Sequence, residues 1–192
     1  MLVCRVLYAD TKTYLFLLWN LFLAWIPFKV SLFLKTNQTK FISTFLISIW
    51  LLFFPNALYI VTDLIHLEQR QNIPIWYDAV LLFTSSLVGL IMAFASLYKV
   101  EIFLRAKFTR PLVNGVVFLC LFAGSFGVYL GRFLRWNSWD IVSEPLLLVK
   151  QIAIRCVYPV EHYRTWAVTV LLTCLFSLLY YGSRQLKATS TH

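Results

Sequence analysis

From Phe41 to His66 the chain reads FISTFLISIWLLFFPNALYIVTDLIH. As far as Ile60 it carries no charged side chain. About twenty residues of helix rise about 30 Å, the thickness of a bilayer's hydrocarbon core. A continuous apolar run also excludes a barrel strand, whose apolar residues alternate. The stretch therefore reads as a membrane-crossing helix with an unusual far end. There Asn56, Tyr59, Asp63 and His66 gather an amide, a phenol, a carboxylate and an imidazole. Pro55 lacks a backbone N–H and clashes with the carbonyl four residues back, at Leu51, so a kink or a fresh helix start is expected there. If the helix resumes, Asn56, Tyr59 and Asp63 share one of its faces.

The rest of the chain agrees with this reading. Of 192 residues 60% are hydrophobic, 18% aromatic and only 13% charged, whereas a soluble domain is about half apolar and about a quarter charged. Both a water-soluble globule and a disordered chain are excluded. Five segments approach span length: Tyr14–Leu34, Phe41–Ile60, Asp78–Tyr98, Leu112–Leu130 and Trp166–Tyr181. Tyr14–Leu34 has no small-residue cleavage site and reads as a retained helix rather than a removed signal peptide. Pro27 interrupts it as Pro55 interrupts the second. Pro145–Tyr158 is apolar but too short to span, with Lys150, Gln151 and Arg155 on one helical face. That suits an interfacial or re-entrant helix. The expected fold is an all-α membrane protein: one polytopic domain over residues 1–192, a bundle of about five transmembrane helices plus that short one.

Charge gives the direction. The Lys99–Pro111 loop carries Lys99, Arg105, Lys107 and Arg110, against Arg70 alone in the Val61–Tyr77 loop. Basic residues in short loops stay in the cytoplasm. The expectation is a cytoplasmic carboxy terminus and an outside amino terminus. The net charge of +9 is thus a record of topology. No solvated Lys/Arg cluster with aromatic platforms points to nucleic acid, and none is expected as a partner.

Five spans put seven of the eight carboxylates on the outer face, leaving only Glu101 opposite. Three polar stretches end there: the one around Asp63, the entry Trp76-Tyr77-Asp78, and the exit Gly131-Arg132-Phe133-Leu134-Arg135-Trp136-Asn137-Ser138-Trp139-Asp140. Trp76, Tyr77, Trp136, Trp139 and Trp166 suit an aromatic belt at headgroup depth. The charged residues read either as interfacial ion pairs fixing helix ends or as a polar site at the outer mouth. The candidate cluster is Asn56, Tyr59, Asp63, Asp78, Arg132, Arg135, Asn137 and Asp140. Asp63, His66 and Asp78 are the only acid/base candidates.

Asp63-x-x-His66 is too sparse for a metal site in a chain with three histidines; no metal or cofactor is expected, and a hydrogen-bonded interfacial histidine is the reading taken. Cys4, Cys120, Cys156 and Cys174 form no paired motif. Ser85, Gly89 and Ala93 recur every four residues on the third span, as do Ala123, Gly127 and Gly131 on the fourth. Such stripes let backbones approach. Direct packing of these two spans follows as an expectation, with Asp78 near Arg132 or Arg135.

The stretches Trp50–Leu64, Trp76-Tyr77-Asp78 and Tyr129–Asp140, with Trp19-Asn20 and Ile26-Pro27 in the first span, resemble the bacterial integral-membrane family catalogued as domain of unknown function 1361. The resemblance implies a multi-span protein of the bacterial cytoplasmic membrane and no particular activity. Three functional classes stay open. One is a binding or accessory subunit whose partners are the bilayer and a lipid headgroup or another membrane protein. The others are an enzyme acting on a lipid-linked or envelope substrate at the outer leaflet, and a small transporter.

Overall fold

The computed structural model describes residues 14–68, 74–136 and 138–189. Among them the chain is helical, with no strand. The elements are α1 (Phe16–Leu32), α2 (Lys40–Tyr59), a 3₁₀ segment (Ile60–His66), α3 (Ile75–Arg105), α4 (Arg110–Leu134), α5 (Asp140–Ser143), α6 (Pro145–Val157) and α7 (Tyr163–Thr189). They divide into two compact units, one ending at Ala106 and one beginning at Lys107. Four helical stretches are long and apolar enough to cross a membrane: Lys40–His66, Ile75–Arg105, Arg110–Leu134 and Tyr163–Gln185. The fifth expected span is the shorter apolar helix α1, whose 17 residues rise about 25 Å. It stops at Leu32 because Gln38 closes the turn that follows. The Gln38 amide donates to the Phe33 carbonyl at 2.6 Å, and its oxygen accepts from the Lys35 N–H at 3.1 Å.

The first unit is inside-out relative to a soluble protein. Trp19, Phe22, Trp25, Phe41, Phe45, Phe83 and Ile91 are exposed, while Ser31, Ser43, Ser85, Ser86 and Ser96 are buried. Contiguous exposed apolar surface of this extent belongs against lipid. Several of these hydroxyls are satisfied by their own helix: Ser31 donates to the Phe28 carbonyl, Ser85 to that of Leu81 and Ser96 to that of Ala93. The Trp50 indole N–H ties α2 to α3 by donating to Ser96 Oγ at 3.2 Å. Helix directions alternate. The start of α1 meets the end of the 3₁₀ segment, and Tyr14 and Leu17 share a buried cluster with Leu81 and Leu82 near the start of α3. At the opposite end Ser31, Leu34 and Thr36 line one cleft with Lys99, Ile102 and Phe103.

Two expectations become more definite here. Of the two alternatives at Pro55, no fresh helix starts there; α2 continues to Tyr59 and only then tightens into 3₁₀ geometry. The missing N–H costs one bond, and the half-buried ring is accommodated. The Ser85-Gly89-Ala93 stripe has a close neighbour within its own unit. A methyl at Gly89 would overlap Ile60 Cγ2 and come within 3.4 Å of the Ala57 carbonyl oxygen, so its close approach is to the end of α2. Helix α3 also outruns its predicted 78–98 range at both ends, over 31 residues. Glu101, buried, is paired with Arg105 across 2.6 Å, which lets the helix continue through charged residues.

In the second unit α4 packs along α7. The buried line of α4 is Val113, Val117, Leu121, Gly124, Ser125 and Val128. Ala123 is exposed, so the small-residue stripe noted in the sequence lies beside this line rather than on it. Thr165, Thr169 and Thr173 form a buried ladder on α7, with Thr169 and Thr173 donating to the carbonyl four residues back. Phe122 and Phe126 stack on Trp166. Helix α6 lies within one residue of the expected 145–158 segment; its 13 residues rise about 20 Å, too little to span.

Candidate functional site

The polar end of the first unit is built where α1 begins, α2 finishes and α3 begins. Past Tyr59 the chain winds more tightly, helped by Thr62, whose hydroxyl donates to the Tyr59 carbonyl at 2.6 Å. The tighter winding turns Asp63 inward together with Ile60, three residues before it; both are buried. The Ile60 carbonyl accepts from Ser86 Oγ at 3.0 Å. Asp63 is only 1% exposed, and a buried carboxylate needs polar partners. It finds one in Asn20, whose amide nitrogen donates to Oδ2 at 2.7 Å.

His66 stands one 3₁₀ turn further on and is exposed. Its carbonyl accepts from the Tyr14 hydroxyl at 3.1 Å, and its ring meets Phe16 edge-on at 5.3 Å. Asp78, also 1% exposed, occupies the first turn of α3 at this same end. Asn56 and Tyr59 are half-buried on the last turn of α2. The first unit thus brings Asn56, Tyr59, Asp63, His66 and Asp78 to one end.

The other candidates belong to the second unit. Arg132 is half-buried in the last turn of α4. Exposed Arg135 closes that helix in the left-handed region at φ 59° and ψ 30°, where its N–H and that of Trp136 turn back on the Leu130 carbonyl. Asp140 opens α5 and accepts from Ser143 Oγ at 3.4 Å. Asn137 lies outside the described residues.

Asn20 was absent from the candidate list, though it is the group that holds Asp63. Its signal was a lone amide within the apolar run Tyr14–Leu34. Tyr14 was missed for a similar reason, since a tyrosine at a span end reads first as an interfacial anchor. Among the described residues no three His, Cys, Asp or Glu side chains are grouped to hold a metal ion. Chemically the end offers a buried carboxylate that accepts from an amide, together with a half-buried phenol at Tyr59 and an exposed imidazole at His66. Such a set can accept a cationic or hydrogen-bonding group. No curated protein and no solved structure matches the chain. A family model described as "Protein of unknown function (DUF1361)" matches residues 19–179, which include Asn20, Asp63, Asp78 and Asp140. With most of its length matched, the chain belongs to the DUF1361 family.

Proposed function

We propose that the chain is a five-span protein of the bacterial cytoplasmic membrane that works as a binding or accessory subunit, engaging a lipid headgroup or a membrane partner at its non-cytoplasmic end. The observation that carries this is the Asn20–Asp63 pair. A buried carboxylate, oriented by an amide from another helix, is expensive in an apolar bundle and is kept where recognition needs it. Counting α1 as a crossing helix rests on the alternation above: its two ends lie beside the corresponding ends of α3. The outer assignment of Asp63 and Asp78 rests on the basic residues Lys99, Arg105, Lys107 and Arg110 after the third span.

The test is purification in native lipid without detergent, followed by mass spectrometry of retained lipids and proteins. Asp63→Asn and Asn20→Ala should each lose the bound species while keeping the fold, read by circular dichroism. An unchanged set of retained species in both folded variants overturns the proposal. A retained lipid-linked species that is chemically altered by wild type and not by Asp63→Asn would instead make the protein an enzyme.

A further inference from the structure

Helix α6 has two unlike sides. Leu146, Val149 and Val157 are exposed, whereas Leu148 and Arg155 are buried. A short helix with an apolar outer side lies at headgroup depth. Arg155 is 7% exposed, and a guanidinium does not lose its charge in a protein. Its Nη1 donates to the carbonyl and to the side-chain oxygen of Gln151, both at 2.7 Å, and neither acceptor is charged. Its Nε–H is buried with no partner, and among the described residues no carboxylate pairs with it. A buried cation without a counter-charge is strongly unfavourable.

The surroundings hold this cation in place. The Trp166 indole N–H donates to the Arg155 carbonyl at 3.1 Å, fixing the end of α6 to the start of α7. Next to Trp166 is Thr165, 1% exposed, whose hydroxyl is a second buried group without a partner. The second unit therefore carries a guanidinium held through Nη1 whose Nε–H has no partner, and a buried hydroxyl on Thr165 that also has none. A planar fork matches phosphate oxygens in pairs. We propose that Arg155, with Thr165, binds a phosphate group, borne by a lipid headgroup or by a soluble phosphate compound. The proposal does not depend on the role of Asp63.

The experiment uses the full chain in an uncharged, phosphate-free maltoside detergent, with thermal unfolding followed by circular dichroism. The probes are inorganic phosphate and short-chain phosphatidylglycerol, with chloride as the ionic control. Stabilisation by phosphatidylglycerol alone assigns the site to a headgroup; stabilisation by both probes assigns it to phosphate in general. Arg155→Gln should weaken the response about tenfold to a hundredfold in apparent affinity, as loss of a charge-assisted bond predicts. Arg155→Lys should retain part of it, and Thr165→Val should weaken it. In probe-free protein Arg155→Met should raise the melting midpoint, because an uncompensated charge is removed; an arginine kept only to bond Gln151 would lower it. No response of wild type to either probe, or a full response in folded Arg155→Gln, overturns the site.

Discussion

At the scale of single residues, Asn20 and Asp63 form the contact with the clearest energetic consequence. Removing the amide leaves a buried carboxylate short of a donor, so Asn20→Ala should cost about 1–3 kcal/mol. Asp63→Leu with Asn20→Ala together should cost less than the sum of the two single changes, because each single variant strands a polar group. Reversible unfolding in mild detergent measures this, with a coupling of about 0.5–2 kcal/mol expected for a hydrogen bond inside a membrane bundle. Additive losses would mean the pair does not interact. Arg135 supplies the opposite sign. Its backbone sits at φ 59°, where a residue with a Cβ is disfavoured by about 1–2 kcal/mol. Arg135→Gly should therefore leave stability unchanged or raise it by up to about 1 kcal/mol in the same measurement. A clear loss would show that the guanidinium contributes more than the backbone strain takes away.

At the scale of elements, the two glycines Gly89 and Gly115 separate contact from exposure. A Cβ at Gly89 runs into Ile60, while one at Gly115 meets nothing within 4 Å. Gly89→Leu should force α3 from the end of α2, costing about 1–3 kcal/mol or more, and lower folded yield. Gly115→Ala should be neutral or stabilise by about 0.5–1 kcal/mol, since it only removes helix-interior freedom. Size-exclusion recovery and melting midpoints compare the two; equal behaviour would mean that α3 does not depend on close approach at Gly89. Elements were the most legible level of the sequence. Apolar runs locate helices because lipid demands length and internal hydrogen bonding, and α6 was found to within one residue. Helix ends were less legible. Backbone hydrogen bonding does not stop at the edge of an apolar run, and the Glu101–Arg105 pair carries α3 beyond it. Side-chain partners were the least legible. Asn20 and Asp63 stand 43 positions apart, and neither residue's neighbours in sequence announce the other. Arg155 was read with Lys150 and Gln151 as a polar face, whereas burial separates it from exposed Lys150 and places it with Leu148.

At the scale of the whole molecule, the remaining prediction concerns which parts face which side of the membrane. Within the first unit the ends are already paired: Thr36 shares an end with Lys99, and Glu68 follows the 3₁₀ segment at the opposite end. Thr36, Glu68 and Lys99 are exposed, so a cysteine at any of them is open to a membrane-impermeant maleimide. In a background with Cys4, Cys120, Cys156 and Cys174 replaced by alanine, Glu68→Cys should label in intact cells. Thr36→Cys and Lys99→Cys should label only once the membrane is opened, as the orientation proposed from the basic residues around Lys99 requires. An epitope tag placed before Met1 should be detected in intact cells if α1 crosses. The outcomes separate two physical claims. If all three labels invert together, the charge argument fails while the alternation of α1, α2 and α3 survives. If Thr36 and Glu68 label from the same side, α2 does not cross, and the apolar run that opens the reading of this chain is not a span. The charge argument has its own lever as well. Neutralising Lys99, Lys107 and Arg110 together should produce a mixed population labelled from both sides, since in short loops it is the local basic excess that sets direction.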